Sequence, residues 1–232
     1  MCMDMQRRQT RNERHETKRW SESRAARYPR FSMTGAGIAV VLLILLGLGL
    51  VGGQTVLASE TPTPCPGPPV AVPTPPAETP GYAQEDLTTG LHVTGTAQEI
   101  DLESYRLEVT GKVENPLSLS FDELRCLPKI TDRPTLICPG FFQDVAVWSG
   151  ASLKAVLEQA DVQEDAKSIR LKSADGYSST VPLEDALTDE NFLAYEWEGE
   201  PVPILHGFPV RAVFPKLPGN RWVKWLIEIE VY

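Results

Sequence analysis

An uncharged, apolar run divides this chain of 232 residues into two parts that cannot share one fold. The run extends from Met33 to Gly53 and reads MTGAGIAVVLLILLGLGLVGG. A helix of this length spans the hydrocarbon core of a bilayer, which is roughly 30 Å thick. Residues 1–32 hold nine lysines and arginines against four acids. The positive-inside rule therefore predicts a cytoplasmic head at 1–32, a transmembrane helix at 33–53, and an extracytoplasmic body.

A cleaved signal peptide is the alternative interpretation of this run. Val56-Leu57-Ala58 resembles a small-residue cleavage site. The run is longer than the roughly 7–15 residues usual for a signal peptide, and the segment before it is also long, which favours an uncleaved anchor. The sequence thus predicts a single-pass protein of the cell membrane, with secretion after cleavage near Ala58 as the alternative.

A spacer and an acidic body follow the apolar run. Residues 54–89 are rich in proline and threonine, a composition that favours extended polyproline conformations and predicts a semi-rigid linker. Cys65 lies in this linker, and we expect its thiol to be unpaired and exposed. The folded domain is predicted at 90–232.

The charge of the body excludes one class of partner. Residues 82–232 hold thirteen lysines and arginines against twenty-five acids, a net charge of −12. Proteins that bind nucleic acid neutralise phosphates with a basic surface. We therefore expect no nucleic-acid partner.

The body contains short segments of both helical and strand character. Residues 105–113 alternate apolar and polar side chains, which predicts a half-exposed strand. Ser120 to Glu123 forms a capping box that predicts a short helix from Ser120, and 152–159 has helical spacing. Pro134 to Cys138 is predicted to be a buried strand. Further strands are predicted at 168–172, 177–182, 192–197, 208–214 and 222–231. Strands outnumber helices, so the predicted fold class is α+β with mixed β-sheets and short helices.

Two common kinds of active site lack their motifs in this sequence. There is no CxxC or HExxH spacing for zinc. There is also no GxSxG motif and no glycine-rich phosphate loop. A zinc enzyme and an ordinary hydrolase are therefore unsupported.

Two cysteines, Cys126 and Cys138, lie in the predicted domain. They could form a disulfide in an oxidising compartment, remain buried free thiols, or include a functional thiol. Cys138 ends an apolar segment and is followed at once by Pro139-Gly140, a turn that would present its sulfur at a strand end. Cys126 is expected to be a small apolar filler on a short helix.

A cluster of cations lies between Gly and Pro turns near the C-terminus. The segments are His206-Gly-Phe-Pro-Val-Arg211 and Pro218-Gly-Asn-Arg-Trp-Val-Lys-Trp225. Arginine forks match phosphate oxygens, and lysine adds a point charge. The cluster therefore indicates either a site for an anionic cofactor or surface ion pairs with Glu196, Glu198 and Glu200.

Four segments together resemble the molybdenum-cofactor domain of the sulfite oxidase and plant nitrate reductase family. They occur in the order of that family and cover about 125 residues. The segments are LEVTGKVENPLSLSFDEL at 107–124, TLICPGFFQDVAVWSGASLKAVLE at 135–158, DGYSSTVPLEDAL with LAYEWEGEPVP at 175–203, and HGFPVRAVFPKLPGNRWVKWLIEIEV at 206–231. The HGxPxR pattern followed by KW is a specific signal.

The resemblance implies a fold, a cofactor and a set of site residues. The fold is that of a sulfite-oxidase-like molybdopterin-binding domain, and the cofactor is molybdenum-molybdopterin. Cys138 matches the thiolate that binds molybdenum, in addition to the two dithiolene sulfurs of the pterin. His206 and Arg211 match residues that hold the pyranopterin and its phosphate, and Arg221 and Lys224 match further cofactor-binding positions.

The implied activity is two-electron oxygen-atom transfer on a small-molecule substrate, with a separate haem or quinone-linked protein as electron partner. Residues 82–104 lack the family's Phe-x-Arg-Asn-His segment, whose arginine helps to hold the anionic substrate, so sulfite is not the expected substrate. The alternative function is a non-catalytic cell-surface binding module in which a Cys126–Cys138 disulfide is structural.

Several other side chains near these motifs have competing interpretations. Asp144 could face the metal, but we expect it to be exposed to solvent. Asp175-Gly176-Tyr177 is expected to be a turn that opens a strand, with a catalytic role as the alternative. The tryptophans Trp148, Trp222 and Trp225 are expected to be core aromatics.

Overall fold

The fold is known from a computed structural model that describes residue 65 and residues 67–232. The predicted cytoplasmic head at 1–32 and the predicted transmembrane helix at 33–53 lie outside the described residues. Within 65 and 67–232, no helix is long and apolar enough to cross a bilayer.

The described part of the chain contains many short strands and few helices, as expected for the α+β class. The helices are α1 (Phe121–Arg125), α2 (Leu153–Ala160) and α3 (Leu183–Ala186), with 3₁₀ turns at Ile204–His206 and Gly219–Arg221. The strands are β1 (Glu85–Asp86), β2 (Leu91–His92), β3 (Leu107–Gly111), β4 (Leu117–Leu119), β5 (Lys129–Asp132), β6 (Thr135–Cys138), β7 (Phe142–Val145), β8 (Trp148–Ser152), β9 (Ser168–Ser173), β10 (Ser178–Pro182), β11 (Phe192–Trp197), β12 (Glu200–Pro201), β13 (Arg211–Val213) and β14 (Leu226–Val231).

Two five-stranded sheets carry the core. The first has the order β10-β9-β14-β3-β4, in which β14 runs parallel to β3 and antiparallel to β9, so it is a mixed sheet. In the second, β12-β11-β8-β5 form a continuous antiparallel ladder, and β13 also pairs with β11. Buried apolar side chains of both sheets and of α2 form one continuous cluster. This cluster is the rigid support for the loops that follow the strands.

Helices α1 and α2 each begin directly after a serine that caps the N-terminus of the helix. The Ser120 side chain accepts a hydrogen bond from the Glu123 amide, and the Glu123 carboxylate accepts one from the Ser120 amide, so the capping box of α1 is confirmed. Helix α2 begins after Ser152, buries its apolar face and ends at Asp161, whose φ is +53°. The strands predicted at 105–113, 208–214 and 222–231 are all shorter in the structure, where they are β3, β13 and β14. β14 begins only at Leu226 because Trp225 has a φ of +47°, which interrupts extended backbone.

Strand β6 was predicted to be buried, and that prediction is wrong. β6 pairs only with β7, forming a two-stranded hairpin whose outer face carries the exposed side chains of Thr135 and Ile137. The inner face carries Leu136 and Cys138, which are half-buried. The apolar segment is only three residues long, and such a short run fits a one-sided ribbon as well as a core strand.

The expectations that Cys65 is unpaired and that Cys126 is a small apolar filler are also wrong, because Cys65 forms a disulfide with Cys126 at the end of α1. The tract after Cys65 folds back onto the domain: the Arg125 guanidinium donates to the carbonyl of Pro68 at 3.0 Å, and Val70 packs against the core. Cys138 is a free thiol, so the proposed Cys126–Cys138 pairing and the structural role assigned to it are contradicted.

Candidate active site

A cavity of about 240 Å³ opens beside the inner face of the β6–β7 hairpin. Its walls come from β2, the hairpin, the start of β13, and the turns before β10 and β14. Four of the five residues predicted for the site line this one cavity: Cys138, His206, Arg211 and Lys224. They come from segments up to 86 residues apart, which only the fold brings together.

Cys138 lies at the end of β6, where Gly140 with a φ of +81° reverses the chain. In the hairpin register Cys138 pairs with Phe142, and Leu136 pairs with Asp144. These four residues share the inner face, because side chains two apart on a strand point the same way. Burial, and secondarily the Asp144 carboxylate, raise the pKa of the Cys138 thiol. The sulfur therefore needs a cationic partner to become a thiolate at neutral pH.

Arg211 lies at the start of β13 and is only 3% exposed. Its guanidinium lies between the indole rings of Trp148 and Trp222, at 4.5 and 5.7 Å from their centroids. One terminal nitrogen donates to the His206 carbonyl at 3.1 Å, while the buried Nε has no partner. Burial lowers the pKa of Arg211 to about 10, so the group stays charged at neutral pH.

Lys224 places a second cation in the same cavity. Its Nζ donates to the carbonyls of Thr94 at 2.8 Å and Leu205 at 2.9 Å. An ammonium group has three donors, so one remains. Burial and then the charge of Arg211 hold the pKa of Lys224 well below its usual range, so an anion bound in the cavity is needed to keep the ammonium group charged. Among the described residues, neither Arg211 nor Lys224 forms a salt bridge with a carboxylate.

His206 is buried and neutral. Its Nε2 lies 2.9 Å from the Thr89 hydroxyl and 3.1 Å from Asp86 Oδ2. Burial, together with the charges of Lys224 and Arg211, lowers the pKa of His206 to about 3. The imidazole can therefore form hydrogen bonds in the cavity, but it is uncharged at neutral pH.

Gly207 allows these three residues to approach one another. Its φ is +114°, and a Cβ at this position would lie 3.0 Å from the Cβ atoms of both Arg211 and Lys224. Any larger residue would push the backbone of His206 away from the two cations. The glycine in the HGxPxR pattern is therefore required by both the turn and the close packing.

Arg221 is the predicted site residue that the fold does not place in the cavity. It belongs to the 3₁₀ turn Gly219–Arg221, and its guanidinium donates to the Thr180 carbonyl at 2.6 Å and the Ser179 hydroxyl at 3.1 Å. Both partners belong to β10. Its neighbours Gly219 and Asn220 line the cavity instead.

Sequence reasoning missed His92 and misplaced Asp144. Asp144 was expected to be exposed, but it is buried and accepts hydrogen bonds from both the backbone amide and the Nδ1 of His92. The expected exposure is wrong because β7 turns Asp144 to the inner face. The sequence offered no signal for this, because alternation along FQDV could equally place apolar Val145, and not Asp144, on the buried face. Asp175 and Tyr177 form the predicted turn and also line the cavity. The three tryptophans are buried as expected, and they also form cavity wall.

Residues 94–232 match the family of the oxidoreductase molybdopterin binding domain. The chain belongs to this family. It is 33% identical over 150 residues to the uncharacterized oxidoreductase YuiH of Bacillus subtilis, covering 63% of this chain and 76% of that protein. It is 35% identical over 162 residues to human mitochondrial sulfite oxidase, covering 57% of this chain but only 30% of that protein.

A solved structure agrees with these relatives. The sulfane dehydrogenase SoxCD from Paracoccus pantotrophus superposes with a TM-score of 0.56 at 28% identity, covering 59% of this chain and 40% of that one. The fold is therefore that of a sulfite-oxidase-like molybdopterin-binding domain. The protein is an oxidoreductase that uses the molybdenum-molybdopterin cofactor.

The cavity fits such a cofactor. In the described part of the chain, the buried Nε of Arg211 and the third N–H donor of the Lys224 ammonium group have no hydrogen-bond acceptor. Buried charges that lack a partner are costly, and an anionic group with phosphate oxygens would satisfy both. The free thiol of Cys138, a soft metal ligand, lines the same cavity.

Proposed function

We propose that this protein is a membrane-anchored, extracytoplasmic molybdopterin oxidoreductase that transfers an oxygen atom to or from a small neutral substrate at a Cys138-ligated molybdenum. The observation that supports this most directly is the arrangement of the cavity. It combines one free thiol with two buried cations that have no carboxylate partner in the described chain.

In this proposal, different residues bind the metal and the pterin. Cys138 binds the metal, since a thiolate is a soft ligand and binding removes its proton. Arg211 and Lys224 hold the phosphate and pterin oxygens, and neutral His206 adds a hydrogen bond without adding charge. The bound cofactor supplies the two-electron redox chemistry, and the protein supplies orientation and charge.

Two features support an extracytoplasmic location. The first is the charge asymmetry around residues 33–53, which favours a cytoplasmic head and an exported body. The second is the Cys65–Cys126 disulfide, which is typical of oxidising compartments. An uncleaved anchor at 33–53 would hold the domain at the membrane surface, where a haem or quinone-linked protein could exchange electrons with it.

The substrate is proposed to be neutral because the only lysine or arginine side chains among the described residues that line the cavity, Arg211 and Lys224, are assigned to the cofactor. Both cations are deep in the site, while Asp144 and Asp175 add negative charge to the walls. The net charge of −12 on the body also lowers the local concentration of anions. Aromatic side chains of Tyr82, Phe142 and Tyr177 complete the wall and suit a sulfoxide or N-oxide.

Steady-state kinetics with sulfite and with dimethyl sulfoxide, using artificial electron carriers, test the substrate proposal. We expect measurable sulfoxide turnover and negligible sulfite oxidation, and Cys138→Ser supplies the background of an inactive site. Sulfite oxidation with a kcat/KM above roughly 10⁴ M⁻¹s⁻¹, the range of ordinary enzymes, would contradict the proposal.

A further inference from the structure

The His92–Asp144 pair is a second set of polar side chains in the cavity, and it is not among the residues assigned to the cofactor above. Asp144 accepts from the His92 amide at 2.9 Å through Oδ2 and lies 2.7 Å from His92 Nδ1 through Oδ1. The carboxylate therefore binds both the backbone and the ring of one histidine. A neutral ring so held carries its proton on Nδ1, which leaves Nε2 as a free acceptor.

The ring of His92 is fixed in orientation as well. It stacks on Phe142 with ring centroids 4.3 Å apart and an angle of 6° between the planes. Its side chain is 25% exposed and contributes to the wall that also holds Cys138. Asp144 and Cys138 share the inner face of the β6–β7 hairpin, so the pair stands beside the proposed metal ligand without being bonded to it.

His206, the other histidine in the described part of the chain, does not offer a free ring nitrogen of this kind. His206 Nε2 is engaged by Thr89 and Asp86, and the pKa of His206 is lowered to about 3. The other ionisable side chains that line the cavity around His92 are Tyr82, Cys138, Asp175, Tyr177, Arg211 and Lys224. Arg211 and Lys224 hold their protons for the cofactor in the proposed division of work, and burial raises the pKa of Cys138.

Oxygen-atom transfer has to move protons. Oxidation of a substrate X follows X + H₂O → XO + 2H⁺ + 2e⁻, with the electrons leaving to an electron-transfer protein or dye. The reverse reaction takes up two protons and releases water. A positioned side chain that accepts or donates these protons accelerates such a step by roughly 10²- to 10⁴-fold.

We propose that His92 Nε2 exchanges a proton with the water consumed or released in the cavity, and that Asp144 is its positioning residue. The proposal rests on the oxygen-transfer function above. It gives His92, which lies in β2, a role in the reaction and not in charge pairing with the cofactor.

Two substitutions at His92 separate the ring nitrogens. His92→Asn retains an N–H near the position of Nδ1 that can pair with Asp144, but it removes Nε2. His92→Gln places an amide near Nε2 that cannot carry an ionisable proton. The matched control is Gln143→Asn, on the exposed outer face of the same hairpin. The full-length wild type, these three variants and Asp144→Asn are compared for molybdenum content, kcat, KM and the pH profile of kcat.

Both His92 variants are expected to retain molybdenum and a KM within threefold of wild type, while kcat falls roughly a hundredfold or more. One ionisation in the wild-type pH profile should be absent from both, and Gln143→Asn should match wild type. Asp144→Asn should lower kcat and move the midpoint of that ionisation without removing it. A kcat within threefold of wild type, an unchanged pH profile, or loss of molybdenum in His92→Asn would overturn the proposal.

Nitrogen NMR of ¹⁵N-histidine-labelled full chain gives a test that does not depend on turnover, with the His92 signals assigned by their absence in His92→Gln. The Nδ1–H tautomer of His92 is expected. An Nε2–H tautomer would refute the proton-exchange role even in an active enzyme. A wild-type protein that binds molybdenum but turns over no substrate contradicts the proposed oxygen transfer, and the tautomer is still decided.

Discussion

At the scale of single residues, the contacts of a side chain distinguish a candidate cofactor ligand from a cation whose donors are satisfied by the protein. Arg211 and Arg221 lie ten positions apart in the same basic cluster, and the family resemblance assigns both to the cofactor. Arg221 donates hydrogen bonds to two residues of β10, whereas the buried Nε of Arg211 has no hydrogen-bond partner. The distinction depends on contacts with residues about forty positions away, which periodicity and spacing do not encode.

Replacing Arg211 by alanine should weaken cofactor retention by roughly tenfold to a hundredfold. A charge-assisted hydrogen bond contributes about 1.5–3 kcal/mol, and the variant leaves an anionic oxygen without its donor. Pterin released during gel filtration measures the loss. Arg221→Ala and Lys216→Ala, whose cation is 76% exposed and pairs with Glu190, should retain the cofactor. Equal retention by Arg211→Ala and wild type would remove Arg211 from the cofactor site.

At the scale of elements, the sequence predicted well those segments whose signal is local. The capping box located α1, and the short strands predicted at 168–172 and 192–197 correspond to β9 and β11. The sequence failed where the answer depends on a distant partner. The burial of β6 required knowledge that it pairs only with β7, and the state of Cys65 required the fold-back of a proline-rich tract. The site followed the same rule: resemblance named Cys138, but His92 and Asp86 lie in segments with no recognisable motif.

The Cys65–Cys126 disulfide should stabilise the domain without affecting the metal. It closes a loop of 61 residues, for which the chain-entropy relation gives about 4 kcal/mol. Cys126→Ser should therefore unfold at lower denaturant concentration, while its folded fraction binds as much molybdenum as wild type. Denaturant titration and metal analysis of the same sample measure both quantities. Loss of metal from folded Cys126→Ser would show that α1 supports the site directly.

At the scale of the whole molecule, the charge asymmetry around residues 33–53 and the disulfide both support the proposed location of the domain outside the cytoplasm. The fold-back of residues 67–71 onto the domain also means that part of the proline-rich tract does not act as a free spacer.

The intact chain is expected to remain in the membrane fraction, with the domain degraded by protease added to the outside of whole cells or spheroplasts. Thiol labelling after denaturation should find Cys65 and Cys126 protected and Cys138 reactive once the cofactor is removed. A soluble mature protein that begins near Ser59 would support the cleaved-signal alternative instead.

The central claim is that Cys138 is the protein ligand to molybdenum, and X-ray absorption at the molybdenum edge tests it most directly. The full chain, produced in a host that makes the cofactor, is compared with Cys138→Ser. We predict about one molybdenum per wild-type chain with three sulfur neighbours, and one sulfur fewer in Cys138→Ser, because serine replaces sulfur with oxygen. An unchanged number of sulfur neighbours in Cys138→Ser, or a wild-type chain without molybdenum, would contradict the claim.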